Sequence, residues 1–491
     1  MMGVLSGIEP AKVFEYFEKI CSVPHGSGNT KKISDLCASF AKDLGLKYVQ
    51  DELNNLIIYK PGSAGRENEE PVILQGHMDM VCAKTADCTK DMAEEGLDIF
   101  VDGDFVRAKD TSLGGDDGIA VAMILALLSD GSCSHPPIEA VFTVDEEVGM
   151  DGAAGLDMSL LKGRRMLNLD SEDEGIFTVS CAGGLRTDCS IPVDKNNIVI
   201  INDSRKNVCY KVTISGLIGG HSGCEIDKGR ANAIKMMSRF LYGVSDELKS
   251  LKMCNIEGGK FDNVICNNCE AEIVVDCEEA GAFEELAKRY DTDYKNEFAV
   301  TDPGISLTVE KINLYSEKPA FSTDDTLRFT RALFLVPQGI IAMSSDIKGL
   351  VQTSANLGIV KVKPEKLQFS CSVRSSVASQ KFAVRDRIEA AVTSQGGYIT
   401  TRGDYPGWAY RKDSKVRDVL SRLYEEESGK KPVITAIHAG LECGLFSEAI
   451  PGLDCVSIGP DLKDIHSVNE RMSISSVERL YKLVRRFLEE I

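Results

Sequence analysis

Histidines and carboxylates follow several apolar segments of this sequence, which is where a metal centre built on strand ends would need them. The stretch "VILQGHMDMV" (72–81) puts His77 and Asp79 two residues apart, directly after a run of apolar residues. Imidazole and carboxylate groups are common ligands of divalent ions such as Zn²⁺. One such residue alone is more often a solvated strand end, so the prediction depends on the whole set. The other members are Asp116, Glu146, Glu147, Asp170 and His466.

The residue types predict two metal ions that share one ligand. Two neighbouring ions need a carboxylate to bridge them, and Asp116 in "LGGDDG" would be that bridge. Glu147 and His466 would complete the ligands of one ion, and His77 and Asp170 would complete those of the other. Two Zn²⁺ ions per chain are expected, although Mn²⁺ and Co²⁺ accept similar ligands.

Two acids of the set would stay outside the ligand shells. Asp79 is too close to His77 along the chain to be a convenient second ligand, so it would accept the other ring N–H of His77 and fix its tautomer. Glu146 would act as general base on the attacking water. The five carboxylates of the set would repel one another, because two unit charges about 4 Å apart interact by roughly 4 kcal/mol at an effective dielectric near 20. Bound cations would relieve this repulsion, so we expect the stability of the protein to depend on metal.

The elements that position these residues can be read from the apolar patterns. Buried strands are indicated by "VILQGH" (72–77), "IEAVFTVDEE" (138–147), "MLNLDSEDEG" (166–175) and "LDCVSIGP" (453–460), and a helix by "DDGIAVAMILALLSDG" (116–131). Alternation of helices with buried strands predicts an α/β fold with a mostly parallel sheet. Sites in such sheets form beyond the carboxyl ends of the strands, so all seven residues could converge there.

A chain of 491 residues exceeds one ordinary core, and its patterns change twice. From near residue 186, strands with period-two alternation dominate, such as "NVCYKVTISG" and "KLQFSCSVRS", and a helix pattern follows each. The α/β pattern returns near residue 405 and ends in a helix with a capping box at Ser475 and Glu478. We predict a catalytic domain of residues 1–185 and 405–491, interrupted by an inserted α+β domain of residues 186–404. The inserted domain is interpreted as two similar halves joined near Thr301–Gly304.

Charge and cysteine content narrow the class of protein. The formal net charge of −19 would repel phosphate groups, which disfavours nucleic acids and anionic membrane surfaces as partners. The longest apolar run, Ile119–Leu128, is shorter than the roughly 20 residues that span a bilayer, and the N-terminus has no apolar secretory core. We therefore expect a cytoplasmic protein whose 16 cysteines are reduced. The pair in "CNNC" (266–269) has metal-site spacing, but no second pair matches it, and ordinary packing is the preferred interpretation.

Seven motifs together resemble those of the cytosolic aminoacyl-histidine dipeptidases, also called β-alanyl-histidine or Xaa-His dipeptidases. The motifs are "GHMDMV", "TSLGGDDGIA", "FTVDEEVGM", "NLDSEDEG", "GGHSG", "HAGLECG" and "IHSVNE", and they cover nearly the whole chain. The resemblance implies a dizinc-exopeptidase catalytic domain with an inserted lid domain. It also implies the ligand assignment above, with Asp116 as the bridge and Glu146 as the base. One departure is Asp117, since asparagine is common there in the family.

The resemblance gives the inserted domain a role in binding substrate. His221 in "GGHSG" would stabilise the oxyanion, although from the sequence alone a turn histidine between glycines is an equal alternative. Asn263 and Arg374 would hold the C-terminal carboxylate of the substrate, and a guanidinium suits this group because it binds carboxylates through two hydrogen bonds. Gly440 in "HAGLECG" would line the pocket. Glu442 in the same motif would either meet the amine of the substrate or pair within the protein.

The expected activity is hydrolysis of the peptide bond of unblocked dipeptides, with Xaa-His types such as β-alanyl-histidine implied by the resemblance, in an enzyme that forms a homodimer. An N-acyl amino acid hydrolase or a tripeptidase with the same dizinc centre is an alternative, because substrate choice would lie in the inserted domain. A catalytically silent relative that binds only metal or partners is an alternative of another class. Glu146 argues against it, since a silent relative has no need of an unligated base.

Overall fold

A computed structural model describes residues 3–313 and 317–491 of the chain, which divides into two compact units. The first unit contains the chain up to Cys181 together with Trp408–Ala436 and Leu441–Ile491. The second unit contains Ala182–Gly407 and the short segment Ile437–Gly440. The assignment of residues 1–185 and 405–491 to a catalytic domain, and of residues 186–404 to an inserted domain, stays a prediction.

The first unit is built around a mixed sheet whose central strands are parallel, as the alternation of patterns predicts. Val72–His77 is buried at all six positions, which is typical of a strand covered on both faces. It pairs in parallel with Ile138–Thr143 on one side and Arg165–Asn168 on the other, and Asp454–Ser457 continues the parallel part. Antiparallel strands flank this centre. In the described part of the chain the order is Lys47–Gln50, Leu56–Lys60, Ile138–Thr143, Val72–His77, Arg165–Asn168, Asp454–Ser457, Ile176–Cys181 and Val433–Ile437.

Helices cover this sheet, and one of them is apolar all round. Residues Gly118–Leu128 of the helix Gly115–Ser129 are all buried, because it packs between the strand Val72–His77 and the helix Ala11–Cys21. The other helices of the unit are Lys31–Asp43, Asp151–Gly155, Lys415–Ser428, Glu442–Ala449 and Ile474–Glu490, with a 3₁₀ turn at Met158–Leu160. A small separate sheet contains Leu462–Lys463, Arg471–Ser473, Phe105–Ala108 and Ile99–Asp102.

The register of the parallel strands brings their carboxyl ends level. His77 is opposite Thr143, Gln75 is opposite Asn168, and Asn168 is opposite Ser457. The strands Ile138–Thr143 and Arg165–Asn168 end before the acids of their motifs, so these acids lie in the loops that follow. Loops that leave one edge of a sheet at the same level place their side chains close together, which is how this fold gathers the predicted site residues.

The second unit contains a larger sheet with helices and its own apolar core. The first part of the strand Cys269–Asp276, up to Ile273, alternates buried with half-buried side chains, as a strand with one face on a core does. Among the described residues the order of the strands in this larger sheet is Ser306–Ile312, Asn207–Ser215, Cys269–Asp276, Lys252–Gly258, Val351–Lys363, Lys366–Ser375, Gly183–Pro192 and Tyr398–Tyr405. The strand Gly339–Met343 pairs beside Val351–Lys363. Two strand pairs are separate: Ile198–Ile201 with Lys318–Phe321, and Gly220–His221 with Val264–Ile265. The helices are Ala233–Glu247, Ala280–Glu297, Thr323–Leu335 and Ala378–Thr393, with 3₁₀ turns at Lys195–Asn197 and Ile226–Lys228.

Three further features bear on the expectations from sequence. The segment Thr301–Gly304 connects the helix Ala280–Glu297 to the strand Ser306–Ile312, and the division into two halves at this segment stays a prediction. All 16 cysteines are free thiols, and those of the "CNNC" motif are buried. Within residues 3–313 and 317–491, no helix is both long enough and apolar enough to cross a membrane.

Candidate metal centre

Two groups of potential metal ligands lie in the first unit, and they share Asp116. One group is His77, Asp116 and Asp170, and the other is Asp116, Glu147 and His466. In each group the ligand atoms lie within 4.8 Å of one another. These are the residues that the sequence predicts as ligands, in the predicted division between two ions. Among the described residues, no other cluster of histidine, cysteine and carboxylate side chains meets the same spacing.

The two oxygens of Asp116 face different histidines, as a bridging carboxylate requires. Oδ1 lies 3.2 Å from His77 Nε2, and Oδ2 lies 3.1 Å from His466 Nε2. Asp170 Oδ1 is 3.5 Å from His77 Nε2, and Glu147 Oε1 is 2.8 Å from His466 Nε2. One carboxylate is therefore common to both groups through separate atoms.

The ligand atoms are better arranged to bind divalent cations than to form hydrogen bonds with one another. Glu147 Oε1 is buried and makes no hydrogen bond, although His466 Nε2 is only 2.8 Å away. The lone pairs of this buried oxygen are therefore free for a cation, while His466 Nε2 also lies within hydrogen-bond distance of Asp116 Oδ2 at 3.1 Å. Imidazole nitrogen with carboxylate oxygen is a donor set that Zn²⁺ accepts.

The charges of the groups lead to the same conclusion. Burial lowers the pKa of the His77 ring, but Asp170, Asp116 and Asp79 outweigh it and the pKa is raised well above its usual value. The adjacent carboxylates of Asp116 and Glu147 raise the pKa of His466 to about 10. Both histidines therefore hold protons as counterions to the carboxylates when no metal is bound. A metal ion would replace these protons, because histidine binds metals in its neutral form.

Asp79 is fully buried beneath His77, and it positions more than the ring. His77 Nδ1 is 3.0 Å from the main-chain oxygen of Asp79 and 3.4 Å from its carboxylate Oδ1. The sequence predicts that the carboxylate accepts the ring N–H, whereas the main-chain oxygen is the nearer acceptor. The carboxylate accepts the main-chain N–H of Glu146 (3.1 Å) and Glu147 (3.4 Å) and the hydroxyl of Ser27 (2.8 Å). The Asp79 carboxylate thus connects the loop after the strand Ile138–Thr143 to the end of the neighbouring strand Val72–His77.

Glu146 is adjacent to the ligand Glu147 but is a member of neither group. Burial raises the pKa of its carboxyl to about 9 in the absence of metal. A carboxyl that is mostly buried, close to the ligands and not one of them has the position that a general base needs.

Asp117, where the sequence departs from the family pattern, is a buried carboxyl behind the ligands. Its Oδ2 accepts the main-chain N–H of His77 at 3.1 Å. A Cβ at Gly76 would come within 2.6 Å of the same oxygen, so the glycine makes room for this side chain. Burial and the charge of Asp170 raise the pKa of Asp117 well above its usual value.

Glu442, whose role the sequence leaves open, pairs within the protein. It is fully buried and accepts hydrogen bonds from Gln75 Nε2 (2.6 Å) and Thr143 Oγ1 (2.7 Å). Asn168 Nδ2 donates to Gln75 Oε1 at 2.6 Å, which extends the network across three parallel strands. Gln75, Thr143 and Asn168 carry no sequence signal of this role, because each partner is distant along the chain.

The second unit gathers the residues that the resemblance assigns to substrate binding. His221 and Asn263 are neighbours, since the strand Gly220–His221 pairs with Val264–Ile265 and Ser222 N–H donates to Asn263 O at 2.9 Å. His221 Nδ1 accepts from the main-chain N–H of Gly223 (3.2 Å) and Cys224 (3.1 Å). These bonds place the ring proton of neutral His221 on Nε2.

Arg374 and His438 extend this cluster. Arg374 is buried, its Nη1 donates to Tyr405 Oη at 3.1 Å, and its Nε has no hydrogen-bond partner. The neighbouring strand places Ser354 opposite Arg374, and Ser354 Oγ is 2.7 Å from His438 Nε2. Burial and the charge of Arg374 lower the pKa of His438 to about 4. Gly440 follows two residues later in the segment that packs with this unit. Sequence reasoning missed Ser354 and Tyr405.

The fold and the paired ligand groups define a metallopeptidase, a hydrolase with an α/β architecture. The model of "Peptidase family M20/M25/M40" matches residues 73–490, and the chain belongs to this family. Members of the family depend on metal, usually on a dinuclear centre. The resemblance noted in the sequence is therefore confirmed at the level of the family.

Similar proteins cover almost the entire chain. A cytosol non-specific dipeptidase from Escherichia coli strain K12 is 35% identical over 490 residues, which is 100% of this chain and 99% of that protein. The crystal structure of an aminoacylhistidine dipeptidase from Vibrio alginolyticus is 35% identical, with a TM-score of 0.93 over 99% of this chain and 98% of that one. A Bacillus cereus aminopeptidase shares the fold, with a TM-score of 0.56 at 15% identity over 98% and 99% of the two chains.

Removing metal should destabilise the protein. We expect a chelator to lower the melting temperature by on the order of 10 °C, because ligand binding at high saturation contributes about 4 kcal/mol. Differential scanning calorimetry with and without chelator measures this shift. His466→Ala, which removes a ligand of one group, should respond less to the chelator. An unchanged melting temperature of the wild-type protein would count against bound metal.

Replacing Asp117 with Asn should stabilise the metal-free protein at pH 8. The pKa of the Asp117 carboxyl is higher in the folded than in the unfolded protein. Such a group contributes fully to the free energy of unfolding at pH values below its pKa in the unfolded protein, near 3.9. This contribution is lost as the pH rises through the pKa of the group in the folded protein. We expect Asp117→Asn to raise the free energy of unfolding by about 1 kcal/mol or more at pH 8, and the gain to shrink towards pH 4. Urea denaturation in chelator measures both.

The matched control for this substitution is Asp43→Asn, because Asp43 is exposed. Its stability should follow that of the wild-type protein at both pH values. A lower stability of Asp117→Asn at pH 8 would show that the charge of Asp117 is stabilising and would contradict the interpretation.

Proposed function

We propose that this protein is a dizinc dipeptidase that hydrolyses unblocked dipeptides, including Xaa-His types such as β-alanyl-histidine. The observation that carries the proposal is the division of ligands into two groups that share Asp116, with Glu146 beside them and outside both groups. The names of the similar proteins from Escherichia coli and Vibrio alginolyticus support dipeptides as the substrate class. The proposal includes a cytoplasmic homodimer, whose mass analytical ultracentrifugation would measure.

His77, Asp116 and Asp170 would hold one Zn²⁺ ion, and Asp116, Glu147 and His466 would hold the other. Zn²⁺ bound in these groups would polarise the scissile carbonyl and lower the pKa of a nearby water. The protein would supply fixed ligand positions through Asp79, which holds the loop of Glu146 and Glu147 by two main-chain hydrogen bonds. Such supporting bonds determine how well ligands stay in place.

Glu146 would move the proton in the reaction. Without metal, burial and the neighbouring carboxylates raise the pKa of Glu146 and keep its carboxyl protonated at neutral pH, while an adjacent cation favours the ionised form. The carboxylate would take a proton from the attacking water and pass it to the leaving amine. Its lack of a ligand role leaves both oxygens free for this transfer.

His221 has the protonation state that stabilising an oxyanion requires. Two main-chain N–H groups occupy Nδ1, so the proton of the neutral ring is on Nε2. Burial and the charge of Arg374 lower the pKa of the ring, which keeps it neutral at pH 7. We propose that Nε2–H donates to the substrate oxygen as its charge develops.

Arg374 and Asn263 would bind the C-terminal carboxylate of the substrate. The buried Nε of Arg374 has no partner within the protein, and a buried guanidinium N–H without a partner is costly unless a ligand supplies one. Tyr405 holds the side chain in place through Nη1. A carboxylate bound at a fixed distance from the reacting bond would favour dipeptides over longer peptides. Gly440 would leave space in the same pocket.

Glu146→Gln should abolish most turnover and keep the metal. We expect kcat to fall by about 10²–10⁴-fold, because the variant cannot accept the proton of the attacking water. Zinc content by plasma mass spectrometry should stay at the wild-type level. Glu147→Gln, the neighbouring ligand, should instead lose zinc. Near-normal activity of Glu146→Gln would remove it from the role of base.

The substrate class is tested by comparing β-alanyl-histidine with β-alanyl-histidinamide, N-acetyl-histidine and a tripeptide. We expect kcat/KM for the free dipeptide to exceed the others by at least about tenfold, which corresponds to one charged hydrogen bond. Arg374→Ala should raise KM for the dipeptide and reduce its advantage over the amide. Arg289→Ala, an exposed arginine paired with Glu247 in the same unit, should change neither.

Each alternative has its own outcome in this comparison. Preference for N-acetyl-histidine would favour an N-acyl amino acid hydrolase, and preference for the tripeptide would favour a tripeptidase. Bound zinc without hydrolysis of any of the four would indicate a silent relative. Loss of zinc in Arg374→Ala would contradict the assignment of this residue to substrate binding.

A further inference from the structure

Glu470 is a buried carboxylate that the proposed chemistry does not use. Its side chain is 3% exposed, and it lies four residues after the proposed ligand His466. In the described part of the chain no lysine, arginine or histidine makes an ion pair with it that would explain a buried charge. Its partners are main-chain N–H groups of a distant segment.

Four successive main-chain N–H groups point into this carboxylate. Oε2 accepts from Leu113 (2.8 Å) and Gly114 (3.1 Å), and Oε1 accepts from Gly115 (2.8 Å) and Asp116 (3.4 Å). The first N–H groups of a helix have no partner within the helix, so a carboxylate here satisfies donors that would otherwise be buried and unpaired.

The segment that Glu470 holds has an irregular main-chain conformation. Gly114 has a φ of +65°, and Asp116 and Asp117 depart from helical geometry although they lie at the start of the helix Gly115–Ser129. This conformation turns the two oxygens of Asp116 towards different histidines. The carboxylate of Glu470 therefore fixes the main chain from which the shared ligand projects.

Glu470 also ends the loop that carries His466. Its own main-chain N–H donates to Ser467 O at 3.2 Å, and the ion pair of Arg471 with Asp464 closes the same loop. His466 has a φ of +59°, a left-handed conformation that is uncommon among residues other than glycine. One side chain thus connects the main chains of two ligands of the same group.

We infer that Glu470 is a positioning residue that sets the distance between Asp116 and His466 and thereby the affinity of the group Asp116–Glu147–His466 for metal. The inference rests on the proposed metal pair. The other group shares Asp116 but depends less on Glu470, because His77 ends one parallel strand and Asp170 closely follows its neighbour. The effect of substitution should therefore fall mainly on one of the two bound ions.

Glu470→Gln is the main test, because it keeps the size of the side chain and replaces one acceptor oxygen by an NH₂ group that faces N–H donors. Zn²⁺ and Co²⁺ titrations of the apoprotein should resolve two equivalents in the wild-type protein. In the variant, one equivalent should bind about 10–100-fold more weakly while the other is retained. The ligand-field absorption of Co²⁺ should show the same loss.

Two further variants separate positioning from general stability. Glu470→Asp, which keeps the charge on a shorter side chain, should bind the weaker equivalent with intermediate affinity. Glu478→Gln, an exposed glutamate on the helix Ile474–Glu490, should bind both equivalents like the wild-type protein. In the metal-free wild-type protein, the amides of residues 113–116 should exchange slowly with deuterium.

Several outcomes would overturn the inference. Glu470→Gln with a lower melting temperature and unchanged affinity for both ions would give Glu470 a structural role alone, and so would failure of both Glu470 variants to fold. Fast exchange of the amides of residues 113–116 in the wild-type protein would contradict the hydrogen bonds themselves. If the wild-type protein binds no metal, the proposed function fails first, and the titration distinguishes the two results.

Discussion

The concentration of carboxylates at one edge of a parallel sheet is the constraint on which the first unit depends. Asp116, Glu147 and Asp170 lie within a few ångströms of two histidines, and Asp79, Asp117 and Glu146 surround them. In a poorly solvated site this amount of negative charge is unfavourable without cations. Without metal, protons on His77 and His466 supply part of the compensation, as their raised pKa values show. Bound divalent ions would supply the rest of the compensation. Metal binding would therefore stabilise the fold by reducing the repulsion between these carboxylates.

Around the ligands, buried carboxylates are used to hold main chain. Asp79 accepts the N–H groups of Glu146 and Glu147, Asp117 accepts that of His77, and Glu470 accepts four in succession. Each of these bonds fixes the backbone of a ligand or of the proposed base. These hydrogen bonds use carboxyl groups other than the potential metal ligands, so the ligand atoms stay free. The positions of the potential ligands are in this way fixed by hydrogen bonds to their main chain.

Sequence patterns were sufficient for the parts of this structure that depend on local periodicity. The strand Val72–His77 has the predicted bounds and is buried at all six positions, although Gln75 and His77 are polar. The residues of the two groups could be singled out in the sequence because most of them follow an apolar run and Asp116 precedes one. The strand from Ile138 was predicted to reach Glu147 and ends at Thr143, since the pattern does not show where a strand gives way to a turn. The last helix is capped by Ser473, whose Oγ accepts from Ser476 N–H, and not by the predicted Ser475; both are serines next to the same apolar pattern. The hydrogen-bond partners of Glu442 and Glu470 lie far away in the sequence, and no local sequence pattern predicts them.

Because Asp116 belongs to both groups of potential ligands, the binding of two ions would be thermodynamically linked. Occupying one group would fix the plane of the Asp116 carboxylate and so change the entropic cost of binding the second ion. Linkage of this kind is reciprocal, so each ion alters the affinity of the other by the same factor, whichever binds first. The two ions would therefore form one cooperative unit, and the populations of the metal-free protein, its two different singly loaded forms and the doubly loaded protein would follow from three constants and not from two.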